Sequence, residues 1–220
     1  MAMSSIRVMA TCSLLGEAVG KAAAIAVKNS FTPHDVYCYK IEELQDMLMN
    51  GDCFLPSKTR KISQVCKKAE LNIAQDTIRN GQDRAHSLYN TDETNCSYIA
   101  ASGEEIMYSF DETKVTSVHI VFCSDLNRDT LPGDISERTH STRANQLIDS
   151  PQMCMPLTLC REFKLTGELN GIETELLHIS DNRKRAYHLN INQRLDKLTL
   201  TVAYNWGNNN KIPLISFDFE

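Results

Sequence analysis

The spacing of apolar residues changes once along this chain, and that change limits the fold more than any other feature. Over the first fifty residues Ala10, Leu14, Leu15, Ala18, Val19, Ala22, Ala23, Ile25 and Ala26 recur with the period of a helix face. Thr32-Pro33 supplies an N-cap followed by proline at the first helical position. Ile41, Leu44, Leu48 and Met49 form the stripe of a further helix, which Asn50-Gly51 ends.

Beyond residue 85 the period becomes two. Ile106, Tyr108 and Phe110 alternate with polar neighbours, then Val118, Ile120 and Phe122, then Phe163 and Leu165. Ile172 to Ile179, Tyr187-x-Leu189-x-Ile191, Leu198 to Tyr204, and Ile215-x-Phe217-x-Phe219 continue the pattern. Turn signals separate them: Ala101-Ser102-Gly103, Leu169-Asn170-Gly171, Ser180-Asp181-Asn182 and Trp206-Gly207-Asn208. Asn-Gly between two alternating runs is a hairpin cue. Seven or more short strands with no ten-residue helical pattern between them argue an antiparallel β-sandwich. The expected fold class is therefore α+β, a short N-terminal helical segment followed by a β-sandwich. The expected division is 1–52 helical, 53–66 linker and 67–220 sandwich, with a first strand around Ala69–Ile73. The stretch 53–80 is polar and basic, which reads as a solvated connection. Residues 124–150 are polar and aperiodic, a loop excursion between strands.

Composition removes several classes. An apolar share of 42% and a charged share of 23% describe an ordinary globular chain. A net charge of −5 gives no footprint for nucleic acid. The weakly polar run 10–27 is broken by Glu17 and Lys21 and is too short for a membrane span. No secretory signal opens the chain, so a cytoplasmic location is expected. None of the eight cysteines forms a C-x-x-C pair, and several, such as Cys123, sit in apolar runs that suit reduced, buried thiols. Cys12 has no thiolate-stabilising cation near it in sequence and reads as structural. The six histidines show no metal-ligand spacing, so no metal is expected, and His119 and His178 read as strand residues of structural role. No G-x-S-x-G elbow is present. Glu104 and Glu105 fall on opposite strand faces and cannot act as one acid/base couple. No residue is assigned a catalytic role.

The run from Ser5 through Arg7, Met9, Cys12, Gly16, Ala18, Gly20, Ala22, Ala23 and Ala24 resembles the last flavin-contacting element of FAD-dependent oxidoreductases, particularly the fumarate reductase-like two-dinucleotide-fold group. The continuation Phe31-Thr32-Pro33, Ile41-Glu42-Glu43-Leu44 and Gly51 to Pro56 is similar to the segment after that helix in the family. The resemblance implies that helix 9–28 caps the flavin in an intact enzyme. Arg7, Val8, Met9, Ala10 and Thr11 would be the FAD-proximal positions, acting mainly through backbone. A helix N-terminus offers unpaired N–H groups and a positive dipole end, which suit the electron-rich edge of a flavin. Gly16 and Gly20 keep such a helix thin for close packing. The family's G-x-G-x-x-G phosphate loop has no counterpart in this sequence. The chain is accordingly expected to be a C-terminal portion, inactive and colourless alone. Its expected partners are an N-terminal FAD-binding domain or subunit, and a second copy of itself through the first helix; no nucleic acid or membrane is expected.

From about Lys67 onward the chain resembles a galactose-binding-like (discoidin-type) jelly roll of the kind appended to some of these oxidoreductases. The likeness lies in Asn80 to Arg84, Ile106 to Asp111, Val115 to Phe122, Asp125 to Arg128, Asn182 to Arg185 and Trp206-Gly207. A sugar site needs an aromatic platform beside converging polar groups. Asp125, Asn127, Arg128, Arg183, Arg185 and Trp206 would supply one if their loops meet. The alternative to the oxidoreductase reading is thus a non-catalytic module binding carbohydrate or a protein partner.

Overall fold

The computed structural model describes residues 9–56, 58–84, 98–124 and 155–220. Helix α1 spans Met9–Asn29, α2 Pro33–Tyr39 and α3 Ile41–Asn50. Ser30, at φ 55, turns the chain out of α1. Thr32 then caps α2 in a closed box: its Oγ1 accepts from the Asp35 amide at 3.2 Å, and its own amide donates to Asp35 Oδ2 at 2.9 Å. Gly51 ends α3, its amide donating to Leu48 O at 3.0 Å. Ile25, Val36, Leu48 and Met49 are the buried residues of this segment. Lys21 pairs with Glu17 at 2.6 Å and donates to Met47 O at 2.9 Å, tying α1 to α3.

The remainder is an α+β continuation dominated by antiparallel strands. A short helix α4 (Gln64–Lys68), strand β1 (Glu70–Leu71) and a 3₁₀ turn (Asp76–Arg79) precede β2 (Tyr98–Ala101), β3 (Glu104–Phe122), β4 (Cys160–Leu169), β5 (Ile172–Ile179), β6 (Ala186–Asn205) and β7 (Lys211–Phe219). The pairing order is β2-β7-β3-β6-β4-β5, with β1 on β3. The expected separate strands at 106–110 and 118–122 are one strand, as are those at 187–191 and 198–204. Register shifts between Ser109 and Thr113 and between Val115 and Ser117 bend β3 against β6. The first half of β3 and second half of β6 join β1, β4 and β5 in one layer; the other halves join β7 and β2 in the second.

The layers meet through inward residues that are not sheet neighbours. Phe122 lies 4.9 Å from Phe163, Tyr108 lies 5.2 Å from Phe217, and Phe110 lies 4.6 Å from Phe219 by ring centroids. Fully burying each such ring stabilises by about 1.5–3 kcal/mol. Asn170 and Gly171 both adopt positive φ, 51 and 80, as the β4–β5 hairpin requires.

The stretch expected as a linker contributes to this packing. Arg60, Ile62 and Cys66 are buried, and Ile62, Cys66, Ala69 and Ile78 join the sandwich core. The boundary expected at 67 falls inside α4. A polar, basic composition concealed this, because its apolar residues are few and its buried cation, Arg60, is paired rather than solvated. Burial pushes the Cys66 and Cys160 thiols up, to about 11 and about 12. Among the described residues no helix is long and apolar enough to cross a membrane.

Candidate functional site

In the second layer the inward residues are Val118, Ile120, Phe217 and Phe219, so their neighbours face outward. Register places His119 opposite both His188 of β6 and Asp218 of β7, a polar row across three strands. An outward face would ordinarily be solvated, yet Ser117, His119, Ser216 and Asp218 are buried. The segment 58–84 covers them. Its Arg60 donates from Nη1 to Asp218 Oδ1 at 3.0 Å, from Nε to Asp83 Oδ2 at 2.6 Å and from Nη2 to Asp83 Oδ1 at 3.1 Å. The Ser216 hydroxyl also donates to Asp83 Oδ1, at 2.9 Å. Burial raises the Asp83 carboxyl, and His119 and Arg60 beside it outweigh burial, leaving it well below the usual carboxylate range. Arg60 is held charged in spite of burial by Asp218 and then Asp83.

Gly81 lets the covering segment approach this closely. Its φ is 80, its carbonyl accepts from the Arg60 amide at 3.0 Å, and a Cβ there would stand 2.3 Å from Arg60 O. A cavity of about 170 Å³ lies between the row and α3, its walls including Asn50, Arg60, Ser117, His119, His188 and Asp218. Asp52, just past α3, is shared by Arg185 and by Arg84, whose Nη2 reaches Asp52 O at 2.9 Å. These contacts join the helical segment to the sandwich.

This cluster was not legible in the sequence, where His119 read as structural only. One signal was present: Asp218 sits between Phe217 and Phe219, an acidic residue on an apolar strand that needs a partner. Among the described residues no group of three or more His, Cys, Asp or Glu is arranged to hold a metal ion.

Of the expected sugar-site residues, the structure brings Arg183 and Trp206 together, with the Arg183 guanidinium carbon 5.8 Å from the indole centroid. Arg161 stands closer over the same ring, at 4.9 Å. Trp206 Nε1 donates to Asn182 O at 2.8 Å, and buried Asn182 donates from Nδ2 to Cys160 O at 2.7 Å. The indole therefore anchors the β5–β6 and β6–β7 turns, with a guanidinium on the face a sugar would stack against. Arg185 turns away to Asp52 and the Asp83 carbonyl. Asp125, Asn127 and Arg128 lie outside the described residues.

Of the expected flavin-proximal positions, Arg7 and Val8 also lie outside the described residues, and Met9, Ala10 and Thr11 form the first turn of α1. Met9 is 87% exposed and no acidic residue stands in that turn. Cys12 is exposed. Further along α1, Leu14, Leu15, Val19 and Val27 are exposed, and a Cβ added at Gly16 or Gly20 meets nothing within 4 Å.

The model of the FAD dependent oxidoreductase family matches residues 1–48, which ends within α3. No curated protein matches this chain. Among solved structures, the chain is similar to a CBM32 module of a GH31 protein bound to GalNAc, at 13% identity and a TM-score of 0.43, covering 74% of this chain and 98% of that one. It is similar to the family 32 carbohydrate-binding module of Streptococcus pneumoniae EndoD at 9% identity and a TM-score of 0.46, covering 72% and 99%. It is also similar to the family 32 module of C. perfringens NanJ in complex with galactose, at 10% identity and a TM-score of 0.39, covering 69% and 91%. The sugars in those structures belong to those proteins.

Proposed function

We propose that this chain is the C-terminal portion of an FAD-dependent oxidoreductase, in which α1 caps the flavin of a domain supplied outside these 220 residues and the sandwich is a non-catalytic accessory. The observation that carries the reading is the bare side of α1 within the matched segment. Leu14, Leu15 and Val19 face outward there, and Gly16 and Gly20 leave room for a backbone to approach. Exposed apolar residues on a helix that also carries two unfilled glycine positions suit a neighbour packed against it.

The first turn of α1 suits its share of an FAD site: it is open, and no carboxylate opposes an electron-rich ring. When bound, FAD supplies a ring that accepts and returns hydride. The residues of this chain would contribute backbone N–H groups at 9–11 and a thin helix behind them. They supply no pyrophosphate cradle, because no G-x-G-x-x-G run occurs in the sequence. A charge at a helix end gains only about 0.3–1 kcal/mol, against about 8 kcal/mol for micromolar binding.

Co-expression with an N-terminal flavoprotein half carrying that loop tests the reading. The two polypeptides should co-purify with FAD, and Gly16→Leu with Gly20→Leu should abolish the complex while leaving this chain folded. Flavin retained in stoichiometric amount by this chain alone would refute it, as would a complex indifferent to the two leucines.

A further inference from the structure

We propose that Asp52 is a positioning residue for the flavin site: held by two arginines of the sandwich, it fixes the direction from which α1 caps the flavin. The flavin clause rests on the oxidoreductase assignment; the joint itself does not.

Little else orients the helical segment. Its buried residues, Ile25, Val36, Leu48 and Met49, lie outside the sandwich core, and among the described residues no strand packs broadly on α1, α2 or α3. A cavity separates α3 from the sheet face. Lys61 reaches Glu42 and Asp46 of α3 at 3.2 and 3.3 Å, but these pairs are exposed, and exposed pairs of long side chains orient little.

Asp52 is built into both bodies. On the helical side its amide donates to Met49 O at 2.9 Å and the Cys53 amide donates to Leu48 O at 3.0 Å, so this corner closes the last turn of α3. Cys53 Sγ donates to Glu17 Oε2 at 3.2 Å, and Glu17 Oε1 accepts from Lys21 at 2.6 Å. Gly51 admits α1 this closely, since a Cβ there would stand 2.5 Å from Lys21 Nζ. The corner and α1 therefore move together, through a continuous chain of polar contacts.

On the sandwich side Arg185 donates to Asp52 Oδ1 and to Asp83 O, while its own carbonyl accepts from the Phe122 amide of β3 at 2.8 Å. Arg84 Nη2 donates to Asp52 O at 2.9 Å and reaches Oδ1 at 3.4 Å. Burial lowers the Arg185 guanidinium from its ordinary value, and Asp52 is the foremost group supporting its charge. Asp52 holds this place at φ 67, a left-handed backbone that glycine adopts more easily. The turn alone favours glycine; the carboxylate is what glycine lacks.

That contrast supplies the test. Asp52→Gly suits the backbone and removes the side chain that the arginines hold. The readout is backbone amide relaxation by NMR on the full chain without flavin, which gives rotational correlation times for α1–α3 and for the sandwich separately. In the wild type the two values should coincide. In Asp52→Gly the helical value should fall below that of the sandwich, with unshifted Ile25 and Leu48 amides showing the helices intact. Arg185→Met should do the same, and the double variant should add little to Asp52→Gly alone. One common value in Asp52→Gly would mean that Asp52 serves the turn only, and it overturns the proposal. Two values already in the wild type do so as well. With an N-terminal flavoprotein half co-expressed, Asp52→Gly should still co-purify with FAD, because the outward side of α1 is unchanged, but the visible flavin bands should shift from their wild-type positions. Unshifted bands overturn the positioning role. If the wild type forms no flavin complex, the oxidoreductase assignment fails, whereas the relaxation comparison decides the joint.

Discussion

Arg60 and Asp218, 158 residues apart in the chain, are joined by two hydrogen bonds, one of them 3.0 Å long, with side chains only 7% and 6% exposed. The pair fastens the segment leading into the sandwich to its last strand. Removing the cation would leave Asp83 and Asp218 buried without a counter-charge. Arg60→Met is expected to cost about 3–5 kcal/mol in urea denaturation. A loss under about 1 kcal/mol would show that water reaches these carboxylates and that the clamp is superficial.

The same network sets the response to acid. Asp83 titrates below its unfolded value, so its contribution is complete above the unfolded pKa of about 3.9 and is lost as the pH falls through the lower folded value. Stability should therefore fall steeply below about pH 4. In Asp83→Asn the protein should be weaker at neutral pH, and its stability should decline less on acidification. Parallel acid profiles for the two proteins would contradict this assignment.

Gly81→Ala should be more damaging than a glycine replacement in a surface turn. Its φ of 80 already disfavours a side chain, and the new Cβ would stand 2.3 Å from the Arg60 carbonyl oxygen. Gly171→Ala shares the positive φ but meets nothing within 4 Å. Gly171→Ala is expected to cost about 1–2 kcal/mol and Gly81→Ala clearly more. Equal melting temperatures for the two variants would refute the close approach.

The exposed side of α1 makes self-association measurable. Sedimentation of the wild-type chain should show a concentration-dependent dimer, and Leu15→Glu with Val19→Glu should shift it to monomer without loss of helix by circular dichroism. A wild-type protein monomeric at high concentration would remove this expectation.

Trp206→Ala should act on stability rather than on sugar binding. The indole carries a hydrogen bond to Asn182 O and lies under Arg161. Its loss should cost about 3–5 kcal/mol. Titration calorimetry of the wild type with galactose should show no micromolar heat; binding of that strength, abolished by Trp206→Ala, would reverse the assignment.

The helical segment and its ends were legible in the sequence because capping is local chemistry: Thr32, Pro33 and Asn50-Gly51 mark boundaries that the structure keeps. The Asn170-Gly171 hairpin was legible for the same reason. The lengths of β3 and β6 were not. Where each strand passes from one layer to the other, both its faces meet solvent, so the apolar alternation lapses at Asp111-Glu112 and Asn192-Gln193-Arg194. The buried charge cluster was hidden more deeply. Arg60 and Asp83 of the covering segment, His119 of β3 and Asp218 of β7 are far apart in the sequence, and no spacing rule links them; only the tertiary register does.

The passage of β3 and β6 through both layers also decides how the sandwich bears load. In a sandwich whose layers are joined only by loops, one sheet can slide over the other by losing side-chain contacts. Here such a slide would have to shear two continuous backbones at their bends, near Ser109–Thr113 and the facing part of β6. Under tension the two layers should therefore yield together in one event, with no intermediate in which one sheet survives the other.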